Sequence, residues 1–156
     1  MSDTMTRKGD IAYNNFLAGY NCTQAVAVAF AEELGLDKDT AARLSCGFGG
    51  GMGRMREVCG TFSGVVMVLS ALYGYSEPKN LTAKKELYEK IRALAAKFGA
   101  DNGSIICREL LGLEKAEASA TPEPRTPEYY KKRPCPELCR YAANLLEEFI
   151  KENPPD

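Results

Sequence analysis

Ser45 to Gly64 reads SCGFGGGMGRMREVCGTFSG, and the reading of this stretch decides the fold. It holds two of the six cysteines and five glycines between Gly47 and Gly53, then opens into the apolar run Val65-Val66-Met67-Val68-Leu69. Glycine tolerates positive φ and lets backbone come close to another group, so Gly47–Gly53 predicts a folded-over loop, neither helix nor strand. Arg54 and Arg56 put two charges into an otherwise apolar neighbourhood. A fourth helix is expected from about Val58 to Leu72, apolar on nearly all sides as a central helix wrapped by others would be. Gly60 and Gly64, four apart, leave one of its faces flat enough for a neighbour's backbone. Cys59 then stands near a helix N-terminus.

Towards the N-terminus, Ile11, Ala12, Phe16 and Leu17 recur at helical spacing between about Thr4 and Gly19, where the glycine ends the first helix. Asn21 is a good N-cap for an alanine-rich helix that begins at Cys22, runs through Leu34 and closes at Gly35. Asp37 and Asp39 cap a short third helix through Ala42 and Leu44, which delivers Cys46 to the glycine loop. Towards the C-terminus, Thr82–Phe98 is an amphipathic helix with Leu87, Ile91, Leu94 and Ala95 inward, ended by Gly99. Ser104 caps a short helix that carries Cys107 and stops at Gly112. Residues 114–134 include four prolines and few aliphatic side chains, which predicts an exposed or flexible loop that Tyr129 and Tyr130 could pin. Cys135-Pro136 opens the last helix, with Leu138, Ala142, Leu145, Leu146, Phe149 and Ile150 as its apolar stripe. The expected fold is therefore all-α: one domain over residues 1–156, a multi-helix bundle around a central apolar helix, with no strand and no internal repeat.

Composition excludes several classes. With 20 basic and 21 acidic side chains the net charge is -1, so nothing favours nucleic acid or an anionic membrane as partner. The longest apolar run, Phe62–Tyr73, is shorter than the roughly 20 residues of a spanning helix, and no membrane insertion is expected. The polar start MSDTMTRKGD lacks an apolar signal core, which places the expected location in the cytoplasm. There six cysteines point to burial, metal binding or redox chemistry and not to structural disulfides. Histidine is absent, which removes the usual general base, the commonest nitrogen ligand and any CxxCH haem attachment.

Cys22, Cys59 and Cys135 each fall within a residue or two of a predicted helix start. Unpaired amides and the positive end of the helix dipole stabilise a thiolate there, which predicts thiol pKa values below the free value of about 8.5. A thiolate is both nucleophile and metal ligand; a cysteine with neither role is a small buried hydrophobe. Cys139, four residues beyond Cys135, could chelate a metal or close a disulfide with it, or serve the core alone. Phosphate binding by the glycine loop is not supported, because GFGGGMGR matches neither GxGxxG nor GxxxxGK and no buried strand precedes it.

Asn21-Cys22, the loop Gly47–Arg54, Cys59-Gly60-Thr61-Phe62-Ser63-Gly64, Phe98-Gly99 with Cys107-Arg108-Glu109-Leu110, and Cys135-Pro136 together resemble the C_GCAxxG_C_C family of putative redox-active proteins. The resemblance covers nearly the whole chain. It implies that Cys22, Cys59, Cys107 and Cys135 are the four defining cysteines, as redox-active thiols and metal ligands, with Cys46 and Cys139 additional. Thr61 replaces the alanine of the family's CGAxxG motif, adding a hydroxyl beside Cys59. The family is similar to the cysteine-bearing part of split-Soret cytochromes, which implies an iron–sulfur cluster or another thiolate-bound metal and no haem. Gly49, Gly50, Gly51 and Gly60 are the expected cofactor-binding glycines, their amides directed at sulfur. The implied partner is another redox protein; the oligomeric state, a homo-oligomer included, is left open.

Three functions compete. Four thiolates meet the requirement of an iron–sulfur or other soft-metal centre for electron transfer. A metal-free thiol–disulfide protein would use Cys59 with Cys22 or Cys107, without support from a CxxC motif. A helical scaffold with buried cysteines needs no chemistry. All three leave open whether the chain is an enzyme. The redox readings require the glycine loop and the starts of the second, fourth and last helices to converge.

Overall fold

The computed structural model describes residues 7–113 and 119–156. Gly9, Ala12 and Phe16 share one face of helix α1 (Lys8–Leu17), and this face packs on α9 (Cys135–Glu152). Only glycine fits at position 9, since a Cβ would stand 2.2 Å from Asn144 Oδ1, which accepts the Gly9 N–H at 3.0 Å. The first predicted turn, from Thr4 to Thr6, lies outside the described residues. Asn21 caps α2 (Cys22–Ala29) in a capping box, accepting from the Gln24 N–H while Gln24 Oε1 accepts from the Asn21 N–H.

The expected single helix from Cys22 to Leu34 is two helices, α2 and α3 (Ala31–Leu34), separated at Phe30, with φ -110° and ψ 24°. Lys8 Nζ donates to Ala29 O at 2.8 Å and lies 5.1 Å from the Phe30 ring centre. A lysine from α1 thus satisfies the carbonyl that a continuous helix would have used. After α4 (Lys38–Ser45), capped by Asp37, a 3-10 turn Cys46–Phe48 enters the glycine loop.

Helix α5 (Gly60–Tyr73) packs against α2, α3, α6 and α9. Its two glycines lie at the crossing with α2, where a Cβ on Gly64 would come 2.8 Å from Val26 Cβ. Val65, Val68 and Leu69 are fully buried, each worth about 1.5–3 kcal/mol of apolar transfer. One strip, Ser63, Val66, Met67 and Ser70, instead faces an open apolar groove bordered by Leu34, Leu44, Phe48 and Met52.

Helix α6 (Leu81–Asn102) continues through Gly99, the expected stop, and ends at Gly103, where φ is 97°. A helical glycine costs only about 1 kcal/mol, whereas the left-handed conformation at 103 ends the helix. Its Phe98 meets Phe62 of α5 edge-on at 5.7 Å. Helix α7 (Cys107–Leu110) starts two residues later than expected, with Ile106 and not Ser104 as its cap: the Ser104 hydroxyl accepts the Ile106 N–H, forming a turn before the helix. Within the expected 114–134 loop, residues 127–132 form α8 (Pro127–Lys132), with Thr126 as cap and proline at its first position. Residues 114–118 of that loop lie outside the described ones. No helix among the described residues is long and apolar enough to cross a membrane. The fold is all-α, without a strand among the described residues.

Candidate functional site: a cavity walled by four thiols

One isolated antiparallel bridge, Val58 to Ile106, sets two of the cysteines in place. Cys59 N–H donates to Ile105 O at 2.7 Å and Cys107 N–H to Glu57 O at 2.5 Å, so the two chains approach with Cys59 and Cys107 at the ends of the bridge. The glycine loop brings this bridge over α2. Gly50, Gly51, Met52, Gly53 and Arg54 have φ of 66°, 71°, 68°, 56° and 66°, a left-handed turn closed by Gly53 N–H to Gly47 O and Glu57 N–H to Gly51 O. Met52 and Arg54 hold that conformation at a cost of about 1–2 kcal/mol each. A Cβ on the buried Gly51 would stand 2.7 Å from Cys107 Cβ, so glycine there lets Cys107 lie against the loop.

Cys22, Cys59, Cys107 and Cys135 all line one cavity of about 70 Å³. Cys59 is the N-cap of α5, and the other three are the first residues of α2, α7 and α9. Every one of the four thus starts a helix, Cys107 included, because α7 begins at the cysteine and not just after Ser104. Gly50 and Gly60 share the wall. Gly49 lies instead in a neighbouring hollow with Cys46, and Gly51 behind Cys107. Cys139 is fully buried outside this wall, its Sγ 3.9 Å from Cys22 O, and the exposed Cys46 donates to Arg43 O.

Three other members of the wall were not expected there: Arg125, which the sequence reading passed over, Tyr129, expected only to pin the loop, and Arg56, expected only as a charge beside the glycines. Arg125 belongs to the proline-rich strap. Its two terminal nitrogens donate to Phe16 O at 2.8 Å and Tyr20 O at 2.9 Å, and its guanidinium lies 4.0 Å from the Phe16 ring centre. An arginine among prolines, followed by two tyrosines, was the available signal that this strap docks. Arg56, buried and with φ 62°, donates to Cys107 Sγ at 3.6 Å.

Helix starts do not leave Cys22, Cys59 and Cys135 acidic. Burial pushes Cys22 up, against hydrogen bonds from the Gly50 and Thr23 amides. Burial, then the neighbouring Cys22 sulfur, pushes Cys59 up to about 12, although the Thr61 hydroxyl 3.1 Å away and the Thr61 and Phe62 amides favour its thiolate. Cys135 rises for the same first reason and by repulsion from the other three sulfurs. The expectation of lowered pKa values is therefore corrected: desolvation of a buried thiolate outweighs a helix dipole. Without a ligand, Cys22, Cys59 and Cys135 are held as neutral thiols at neutral pH.

The wall's donor atoms are mainly soft. It supplies four sulfurs, the donor type that soft cations prefer, and no carboxylate or imidazole. The fully buried Thr23 hydroxyl has no partner of hydrogen-bond geometry and lies beside Cys22 Sγ, where it favours the thiolate. A Cβ on Gly60 would stand 2.3 Å from Cys22 Sγ and 2.5 Å from Thr23 Oγ1, so this glycine keeps room at the sulfur. Among the described residues no three Cys, Asp or Glu side chains are already drawn close enough to hold a metal ion, so the thiols surround the cavity without closing on a point.

Three buried thiols and the half-buried Cys135 thus line one cavity, with amide, hydroxyl and guanidinium donors at the sulfurs of Cys22, Cys59 and Cys107. The chain matches the family model described as Putative redox-active protein (C_GCAxxG_C_C) over residues 20–149, and it belongs to that family. No curated protein and no solved structure matched the chain.

Proposed function

We propose that Cys22, Cys59, Cys107 and Cys135 bind an iron–sulfur centre through which the protein transfers electrons in the cytoplasm, with another redox protein as its partner. The observation that carries this reading is that four thiols from four separate helix starts share one small cavity. A single tetrahedral ion with metal–sulfur bonds of about 2.3 Å requires tightly gathered sulfurs. Sulfurs that ring a void suit a group of several metal atoms better. The bound centre would supply reversible one-electron uptake.

The chain's own residues do the rest. The Gly50 amide, the Thr61 hydroxyl and Arg56 each stabilise a deprotonated sulfur, at Cys22, Cys59 and Cys107 respectively. The strap, through Arg125 and Tyr129, restricts water at the cavity. Each thiol surrenders its proton on binding, so affinity rises with pH until the thiols ionise.

Protein purified without oxygen and assayed for iron, acid-labile sulfide and visible absorption tests the proposal. Stoichiometric iron and sulfide are expected; colourless, metal-free protein from an iron-replete preparation would overturn it. The metal-free reading, Cys59 exchanging a disulfide with Cys22 or Cys107, draws on the absence of any three ligands already at metal-holding distance among the described residues. Free-thiol titration before and after mild oxidation distinguishes it.

A further inference from the structure

Arg56 is an improbable residue for its position. It is non-glycine at φ 62° and nearly fully buried. Its backbone is held at both ends: the N–H donates to Gly50 O at 3.1 Å, and the C=O accepts from Arg108 N at 3.2 Å and Arg108 Nη1 at 3.3 Å. Backbone strain of this kind persists only where the surroundings over-determine it, and such residues gather at functional sites. Here the left-handed conformation sends the side chain into the cavity wall, where Nη1 donates to Cys107 Sγ.

Four thiolates around a divalent charge leave two negative charges in excess, and two guanidiniums, Arg56 and Arg125, line the cavity. They are not equivalent. The terminal nitrogens of Arg125 are directed to main-chain carbonyls of the α1 end, whereas a terminal nitrogen of Arg56 is directed to sulfur. Hydrogen bonds to ligand sulfur and the net charge nearby set the reduction potential and retention of a thiolate-bound centre.

We infer that Arg56 is a positioning and potential-setting residue of the centre, holding the Cys107 thiolate by its hydrogen bond and favouring the reduced, more negative state. The inference rests on the proposed function and adds to it the residue that tunes the site.

The test compares the anaerobically purified full chain with R56Q, R56K and R125Q, first for iron per chain, then for midpoint potential and for the rate at which a chelator removes the centre. R56Q is expected to lower the potential and to lose the centre about ten-fold faster. R56K keeps the charge with a different donor geometry and should fall between R56Q and the wild type. R125Q removes a charge from the same wall without removing a sulfur contact and should change both readouts less. Should R56Q not fold, the R56K release rate decides alone, and a wild-type value overturns the inference. So does R125Q matching a folded R56Q in effect, or R56Q matching the wild type in potential and release. A wild-type chain without any centre overturns the functional reading, and this inference with it.

Discussion

Replacing Gly60 by alanine tests whether the cavity is a built feature. The new Cβ would stand 2.3 Å from Cys22 Sγ, 2.5 Å from Thr23 Oγ1 and 3.3 Å from Phe48 O. Ordinary contact begins at about 3.4 Å, so the sulfur or helix α5 must move by about 1 Å. In a helix, Gly→Ala is otherwise favourable by about 1 kcal/mol. Overpacking at a buried contact costs about 1–3 kcal/mol. The net change in stability should therefore lie between about 0 and 2 kcal/mol of loss, while the geometry at Cys22 is lost. Gly99→Ala is the matched control, because nothing stands within 4 Å of a Cβ there and it should stabilise α6 by about 0.5–1 kcal/mol. Urea unfolding of both variants, with iron content measured on the same preparations, reads the two effects separately. G60A should retain less than half the wild-type iron, and G99A all of it. A G60A protein with wild-type iron and the stability gain of G99A would refute the claim that glycine at 60 makes room for sulfur.

Other consequences are as direct. Met52 is exposed at φ 68°, so Met52→Gly should raise unfolding stability by up to about 1 kcal/mol, while Met52→Val should lower it by more than that; chemical denaturation checks both. For the metal-free chain, Cys59 is neutral when folded and ionises only near 12, above its unfolded value. Its contribution is therefore complete below the ordinary thiol range and is lost as pH rises from about 9 towards 12, at up to about 1.4 kcal/mol per pH unit, in the same direction as Cys22 and Cys135. Urea midpoints across that window should fall less steeply in Cys59→Ala, and equal slopes would contradict the assignment. Arg125→Ala removes two charge-assisted bonds, to the Phe16 and Tyr20 carbonyls, and should cost about 2 kcal/mol, with faster modification of the cavity cysteines by a thiol reagent.

Helix starts were legible because Asn21, Pro136 and the glycines punctuate the chain locally. The flat face made by Gly60 and Gly64 was readable from spacing alone, and both glycines lie against α2. The bridge between Val58 and Ile106 was not readable, since a single pair of residues leaves no alternating pattern. Neither was the break at Phe30, which depends on Lys8 reaching across from another helix. The strap gave a composition of prolines and charges that reads as solvent-exposed loop. Its docking depends on carbonyls of residues 16 and 20, more than a hundred positions earlier in the chain. The direction of the thiol pKa shifts was misjudged for a related reason: a helix start is local and visible, whereas burial is decided by the assembled fold.

Iron and acid-labile sulfide in the anaerobically purified chain, measured beside Cys107→Ala, probe the shared cavity most directly. The wild type should carry a stoichiometric centre with visible absorption, and the variant, deprived of one wall thiol, should lose most of it while keeping its helical circular dichroism. Equal metal content in the two proteins, or none in either, would mean that the four sulfurs do not act together.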